Sequence, residues 1–210
     1  MPSPSAATMA ADKPGAKNID GLATVLFLDV DGVMHPFLNP RLPQAAHDAA
    51  LFSPACMQHL ADVVRDTGAA VVLSSSWRLK ADLRNRLLPM LIKWGVPVWV
   101  STTRSLPGQQ RPREILEWVE KHRPLSWVAV DDWPLHESKG MRGHFVQTRN
   151  THGLQQDTAN RIRLCFEQQQ AHRRDMEGFH AANKRGAPAL APAFALEHAS
   201  EATPMATPST

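Results

Sequence analysis

The chain lacks any run of apolar residues long enough to cross a membrane. A membrane-spanning helix needs about 18 or more consecutive apolar residues, and the apolar runs here are much shorter, although 43% of the 210 residues are hydrophobic. The N-terminal segment, residues 1–21, also lacks the apolar stretch of a signal peptide. We therefore expect a cytoplasmic protein that has a hydrophobic core and no membrane partner.

Cysteine is scarce and the charge is nearly balanced. Cys56 and Cys165 show no metal-binding spacing, and each falls in an apolar stretch of helical character, so buried free thiols are expected rather than a disulfide. The formal net charge is +3. This charge permits contact with a phosphate-bearing substrate, but it does not mark a nucleic-acid-binding protein.

The two ends of the chain have little to bury. Residues 1–20 are rich in small residues and proline, and residues 178–210 are rich in Ala, Pro and Thr without sustained periodicity. We predict a disordered leader, a folded domain over residues 21–177 and a disordered tail.

Strand-like and helix-like segments alternate within the predicted domain. "TVLFLDV" and "AAVVL" are continuous apolar runs, typical of strands buried on both faces. Between them, Ser53, Pro54 and Gly68 fit the N-cap, the first position and the C-terminal glycine of a helix. Further strands are predicted in "VPVWVST", "LSWVAVDDW" and "HFVQT", and further helices in "LKADLRNRLLPMLIKWG" (interrupted at Pro89), "PREILEWVEKHR" and "GLQQDTANRIRLCFEQQQAHRRD". The alternation predicts a Rossmann-like α/β fold, a parallel sheet with helices on both faces.

Polar side chains follow three of these strands. Asp29 and Asp31 end the first strand, Ser74 follows the second, and Asp131 with Asp132 ends "WVAVDD". Ligands bind beyond the carboxyl ends of the strands in such sheets, so these side chains are expected at one edge. A lone "DVDG" would also fit a solvated turn, but a second acidic strand end at the same edge argues against that simpler interpretation.

Arg111 adds a cation to this edge, because it begins the helix "RPREILEWVEKHR" with Pro112 at its first turn. A cluster of carboxylates needs a cation, and hard oxygen ligands suit Mg²⁺. A hydroxyl beside a fixed cationic donor suits the oxygens of a phosphoryl group. The residues therefore point to a magnesium site that handles phosphate.

Four segments in this order, "FLDVDGV", "VVLSSSW", an arginine before a helix and "VAVDD", resemble the haloacid dehalogenase (HAD) superfamily of phosphohydrolases. "SSSWR" and "TRNTHGLQ" are further similar to the small HAD domains found with Swiss-army-knife RNA-repair proteins. The resemblance implies a HAD-type phosphatase, a hydrolase acting on phosphoric monoesters with Mg²⁺.

The resemblance also implies roles for the acids. Asp29 would be the nucleophile that forms an aspartyl-phosphate, and Asp31 the general acid and then the general base. The magnesium ligands would be Asp29, the backbone carbonyl of Asp31, and Asp132, with Asp131 as the alternative that otherwise orients the cationic residue.

The phosphate contacts implied by the resemblance are Ser74 and Ser75 together with a cation from the third motif. That motif often carries lysine followed by proline, whereas this sequence has Arg111 and Pro112, with Arg113 as a rival. Arginine keeps the charge and offers a fork of donors, so either residue is chemically suitable.

Three neighbouring residues have two interpretations each. Trp77 and Trp133 directly follow site motifs and would either belong to the core or line the pocket mouth and stack on a base. Arg78 would either support phosphate binding or form a surface salt bridge.

The spacing between motifs bears on the substrate. The stretch from Met34 to Phe52 is too short for a sizeable cap domain, so an essentially capless, open site is expected. By analogy with the family, open sites act on large substrates, which favours nucleic-acid terminal phosphates or nucleotides. The rival hypotheses are a phosphotransferase on the same scaffold and a non-catalytic module that binds a phosphate ligand; the oligomeric state stays open.

Overall fold

Parallel strands form the centre of the fold. In the computed structural model, which describes residues 21–37, 52–108 and 110–184, the elements in chain order are β1 (Thr24–Leu28), α1 (Pro54–Thr67), β2 (Ala70–Leu73), α2 (Ala81–Lys93), β3 (Ser101–Thr102), α3 (Arg111–His122), β4 (Ser126–Asp131), β5 (Phe145–Gln147) and α4 (Gln156–Lys184). Short 3₁₀ helices lie at Ser76–Leu79, Leu135–Glu137 and Lys139–Met141. In these described ranges the five strands form one parallel sheet in the order β3-β2-β1-β4-β5.

Both faces of the sheet are covered. Side chains alternate along a strand, so Leu26 and Leu28 of β1 pack in the core that α1, α2 and α4 share, whereas Phe27 packs on the other face against Trp118 of α3. The Phe27 and Trp118 rings meet edge to face at 5.2 Å. This arrangement confirms the predicted Rossmann-like α/β fold class.

Helix α1 has the termini that its sequence indicates. The Ser53 hydroxyl accepts a hydrogen bond from the backbone N–H of Cys56, and Pro54 occupies the first turn, where a missing N–H costs nothing. Gly68 ends the helix in the left-handed region at φ 63°, where glycine has no steric penalty.

Two elements differ from their predicted form. The third strand is only Ser101–Thr102. Just before it, the Val100 N–H donates a hydrogen bond to the Val71 carbonyl, but the chain there does not form a strand. Helix α2 continues through Pro89 instead of being interrupted. Pro89 is exposed, so water can replace the helical hydrogen bond that its missing N–H cannot make.

Several predictions concern chain outside the described residues. The leader over residues 1–20, most of the tail and most of the stretch from Met34 to Phe52 belong to this group, so the domain limits and the absence of a cap stay predictions. Helix α4 reaches Lys184, beyond residue 177. Contacts divide the chain into two units, residues 1–166 and 167–210, and the described part of the second is the remainder of α4.

Both cysteines are free, as expected, although Cys165 is only half-buried. No helix in the described ranges combines the length and the apolar character needed to cross a membrane.

Candidate active site

The sheet brings the acidic strand ends together. β1 lies between β2 and β4, and Leu28 pairs with Val130 of β4. The backbone N–H of Asp29 donates to the Val130 carbonyl at 3.1 Å, and that of Ser74 donates to the Leu28 carbonyl at 2.8 Å. Asp29 therefore follows the central strand directly beside Asp131, as parallel neighbours require.

Three carboxylates form a cluster at this edge. Asp29, Asp131 and Asp132 each place an oxygen within 4.8 Å of the others, and Asp29 and Asp131 are almost fully buried. Carboxylate oxygens are the ligands that Mg²⁺ prefers. The donor chemistry of the cluster therefore fits a bound divalent cation.

Arg111 is the cation that faces this cluster. Its Nη1 lies 3.2 Å from Oδ1 of Asp29 and donates a hydrogen bond to Oδ2 of Asp131. The other oxygen of Asp131 accepts from the backbone N–H of Trp133 at 2.9 Å. Three carboxylates and one guanidinium leave two uncompensated negative charges when all four are ionised, which is the charge that a divalent cation neutralises.

Burial and crowding perturb these acids. Burial raises the pKa of Asp29, although the Arg111 guanidinium opposes the shift. Burial, followed by the negative charge of Asp29, raises the pKa of Asp131 from 3.8 to about 7. The same two causes raise the pKa of Asp132. Burial acts to lower the pKa of Arg111, but the charges of Asp29 and Asp131 outweigh it and raise that pKa.

Arg113, the rival of Arg111, lies elsewhere. Its side chain is 66% exposed, and its Nε donates to Glu117 on the surface of α3 at 3.2 Å. Arg111 is the first residue of α3 and Arg113 the third, so the two side chains project from different faces of the helix. The structure brings Arg111, and not Arg113, to the acids.

Asp31 lies beside the cluster with its carboxylate directed to other partners. The indole Nε1 of Trp77 donates to Oδ2 at 2.8 Å, and Nδ1 of His35 lies 3.0 Å from Oδ1. The side chain remains 35% exposed. Asp29 and Asp31 thus occupy different surroundings although only Val30 separates them.

Gly32 allows Asp132 to approach this loop. Its φ is +70°, and a Cβ at this position would lie 2.6 Å from Cγ of Asp132. The Gly32 carbonyl accepts a hydrogen bond from the Thr148 hydroxyl at 2.8 Å, which fixes the turn. Only glycine combines this backbone conformation with the close approach.

The three serines after β2 have separate surroundings. Ser74 is buried, with its Oγ 3.4 Å from the Thr103 hydroxyl. Ser75 is also buried; its hydroxyl accepts from the backbone N–H of Trp77 and acts to lower the pKa of Asp29. Ser76, which was not singled out from the sequence, lines the pocket described next.

A pocket of about 260 Å³ opens over the acids. Asp29, Asp31, Asp132 and Arg111 contribute to its walls. The other lining residues are Phe37, Ser76, Arg78, Leu79, Ser105, Leu106, Glu114 and Trp133.

The tryptophans beside the motifs behave differently. Trp133 is 41% exposed and lines the pocket, with the guanidinium carbon of Arg111 5.6 Å from its ring centre. Trp77 is only 3% exposed and packs in the core. The suggestion that Trp77 stacks on a base is therefore wrong, because its ring has no free face.

Arg78 does not form the surface salt bridge that was one of its two interpretations; its ion pair is internal, and it lines the pocket. It is buried, and its Nη2 donates to Glu114 of α3 at 2.7 Å. Three further hydrogen bonds run from the guanidinium to the carbonyls of Ser75, Thr103 and Arg104. The pair is an internal brace between the 3₁₀ helix after β2 and the helix that carries Arg111. Sequence reasoning missed Glu114; its only local signal is its position three residues after Arg111 on the same helix face.

Comparisons with known proteins give one finding. A family model described as the HAD domain in Swiss Army Knife RNA repair proteins matches residues 25–159. The matched span contains every acid and arginine of the site described above. No curated protein and no solved structure gives a significant match. The family match suggests hydrolase activity of the phosphatase type.

Proposed function

The chain belongs to the family of HAD domains found in Swiss Army Knife RNA repair proteins, and from this premise we propose that it is a Mg²⁺-dependent phosphomonoester hydrolase acting through an aspartyl-phosphate on Asp29. One observation carries the proposal: Asp29, Asp131 and Asp132 cluster at the carboxyl ends of adjacent parallel strands, and Arg111 contacts two of them. This edge is where such sheets bind ligands.

Asp29 and Asp132 would hold the cation, together with the backbone carbonyl of Asp31. Asp131 is the less favoured ligand, since both of its oxygens already accept hydrogen bonds, one from Arg111 and one from the Trp133 N–H. When bound, Mg²⁺ would offset the negative charge of the carboxylates and of the phosphoryl oxygens. Asp131 would orient Arg111 towards the nucleophile.

The reaction divides into two displacements at phosphorus. A carboxylate oxygen of Asp29 attacks phosphorus, the bond to the leaving oxygen breaks, and Asp31 gives that oxygen a proton. Water then attacks the phosphorus of the aspartyl-phosphate, Asp31 takes a proton from it, and the bond to Asp29 breaks. Orthophosphate is released, and both aspartates return to their starting states.

Phosphate recognition would use donors around the nucleophile. Ser74 and Ser75 follow β2 beside Asp29, and Arg111 offers a guanidinium that already faces the nucleophile. The surface position of Arg113 favours Arg111 as the third-motif cation.

The pocket mouth supports a substrate that carries a base. Trp133 and Phe37 line the pocket and are 41% and 48% exposed, and exposed aromatic rings stack on bases with little sequence preference. We therefore propose nucleic-acid terminal phosphates or nucleotides as the substrates.

The proposal is tested by comparing the wild-type protein with Asp29→Asn, and with Asp62→Asn as a matched control. Asp62 lies on α1, where its partners are Arg65 and Gln58. The substrates are p-nitrophenyl phosphate, nucleotides, and oligonucleotides phosphorylated at the 5′ or the 3′ end, each with and without Mg²⁺. We expect Mg²⁺-dependent release of phosphate by the wild type and by Asp62→Asn, and none by Asp29→Asn.

Other results would favour the alternative functions, a phosphotransferase or a non-catalytic binding module. Equal activity of Asp29→Asn and wild type removes Asp29 from the mechanism. Transfer to an added alcohol that exceeds hydrolysis indicates a phosphotransferase. Binding of phosphate ligands without cleavage at any Mg²⁺ concentration indicates a binding module.

A further inference from the structure

The environment of Asp31 contains a residue for which the proposed reaction has no role so far. Trp77 lies 46 positions further along the chain, yet its indole N–H donates to Oδ2 of Asp31 at 2.8 Å. A side chain that is 35% exposed and lies in a loop would otherwise sample several rotamers. This one is tied to a group in the protein core.

Trp77 is itself held firmly. Its side chain is 3% exposed, and the Phe52 ring packs against it edge to face at 5.6 Å. Its backbone N–H donates to the Ser75 hydroxyl at 3.3 Å, at the start of the 3₁₀ helix Ser76–Leu79. A buried donor with a fixed ring gives its acceptor a fixed position.

The chemistry of the indole also distinguishes the two oxygens of Asp31. An indole N–H can only donate, so Oδ2 accepts in this contact. An oxygen that accepts a hydrogen bond is the carbonyl-like one in a neutral carboxyl group. If Asp31 acts as the proposed general acid, its proton is therefore carried by Oδ1, the oxygen 3.0 Å from Nδ1 of His35.

Resting on the proposed function, we propose that Trp77 is the positioning residue of the general acid: its N–H restrains Oδ2 of Asp31, so that Oδ1, the oxygen beside Nδ1 of His35, is the one that exchanges the proton with the leaving oxygen. In the first displacement the proton passes from Oδ1 to the leaving oxygen as its bond to phosphorus breaks. In the second, Oδ1 takes a proton from the attacking water. Trp77 itself gains or loses no proton in either displacement.

The test uses two substrates that share a phosphoryl group and differ in how much they need an acid. Phenyl phosphate releases a basic phenolate, whereas 2,4-dinitrophenyl phosphate releases a weakly basic one. Loss of a general acid slows a reaction by about 10²- to 10⁴-fold. A misplaced acid should lose part of this rate enhancement. The readout is kcat/KM, which reports the first displacement, because breakdown of the aspartyl-phosphate is common to both esters. We expect Trp77→Phe to lower kcat/KM about 10- to 100-fold on phenyl phosphate and by less than about threefold on the dinitrophenyl ester.

Two further variants serve as controls for misfolding and for the loss of any indole hydrogen bond. Replacing Trp77 by benzothienylalanine puts sulfur in place of the N–H and keeps the ring volume, so it should reproduce the leaving-group pattern in a folded protein. Trp118→Phe deletes another indole hydrogen bond, the one to Ser101 at 3.1 Å on the other face of the sheet, and should slow neither ester selectively.

The outcomes distinguish failure of the Trp77 role from failure of the proposed function on which it rests. Support requires the same leaving-group pattern in kcat/KM for Asp31→Asn, and a double variant, Asp31→Asn with Trp77→Phe, whose kcat/KM is no lower than that of Asp31→Asn alone. Equal slowing of both esters by the Trp77 variants, or full additivity in the double variant, overturns the positioning role while Asp31 remains the acid. Full activity of Asp31→Asn on phenyl phosphate overturns the general acid itself.

Discussion

At the scale of single residues, the site depends on two aspartates that are chain neighbours with different surroundings. Asp29 is buried against Arg111 and two further carboxylates, whereas Asp31 is partly exposed between Trp77 and His35. The carboxylate that faces fixed charges suits attack at phosphorus. The one at the pocket wall suits proton transfer, because it faces the space where the leaving oxygen and then the attacking water would lie.

Gly32 provides a prediction at this scale. Gly32→Ala should lower activity and Mg²⁺ affinity, because the new Cβ would displace Asp132, whose Cγ lies 2.6 Å away. Gly68→Ala is the matched control, since Gly68 has a similar φ of +63° and nothing within 4 Å of the added atom. Both variants should lose about 1–2 kcal/mol of unfolding free energy in urea titrations.

Activity and metal titration distinguish the two glycine variants. Gly68→Ala should bind Mg²⁺ and turn over like the wild type. Unchanged Mg²⁺ affinity in Gly32→Ala would mean that Asp132 is not a ligand.

At the scale of elements, two segments are tied together beside the pocket. The 3₁₀ helix Ser76–Leu79 follows β2, and α3 begins with Arg111; Arg78 and Glu114 join them through a buried ion pair. Glu114 also accepts from the backbone N–H of Leu106, which ties in the chain after β3. The brace fixes the start of α3 and with it the guanidinium that faces the nucleophile.

Glu114→Gln tests this brace. Removing the charge leaves Arg78 buried without its counterion, a change that costs about 3 kcal/mol or more in buried pairs. Glu117→Gln breaks the exposed pair with Arg113 on the same helix and should cost only about 0.3–0.5 kcal/mol. Chemical denaturation of both variants measures the difference; equal losses would contradict a structural role for the buried pair.

What the sequence predicts at this scale depends on how local the cause is. β1, α1 and β4 follow from continuous apolar runs, an N-cap and a C-terminal glycine, all of which are local signals. β3 is shorter than its apolar run, because the length of this strand depends on which residues pair with β2 and not on its own sequence alone. The contacts from Trp77 to Asp31 and from Arg78 to Glu114 span 46 and 36 positions, and no periodicity within one element reveals such partners.

At the scale of the whole molecule, the acid cluster links stability to pH and to metal. Burial and the neighbouring Asp29 charge raise the pKa of Asp131 to about 7 in the folded chain from an ordinary 3.8. Below about pH 4 the carboxyl group is protonated in both states. Between about pH 4 and pH 7 the unfolded chain releases this proton first, so this contribution to the free energy of unfolding falls as the pH rises and is constant above that window.

Melting temperatures with and without Mg²⁺ test this linkage. Without metal, the wild type should lose more stability between about pH 5 and pH 8 than Asp131→Asn, which has no carboxyl group to ionise there. Because Mg²⁺ binds ionised carboxylates, it should raise Tm more at pH 8 than at pH 5. An equal Mg²⁺ effect at both pH values would contradict a site built from these acids.

The most direct test of the central claim is to trap the phosphoryl group on Asp29. Asp31→Asn is mixed with Mg²⁺ and an activated aryl phosphate carrying labelled phosphorus, quenched in acid within the first turnover, and digested for peptide mapping. The leaving group then needs no acid, while breakdown of the intermediate lacks its base, so the label should accumulate on the peptide that contains Asp29 and be absent after Asp29→Asn. Sustained phosphate release by the wild type, with no label on that peptide in Asp31→Asn at any quench time, would contradict an aspartyl-phosphate mechanism.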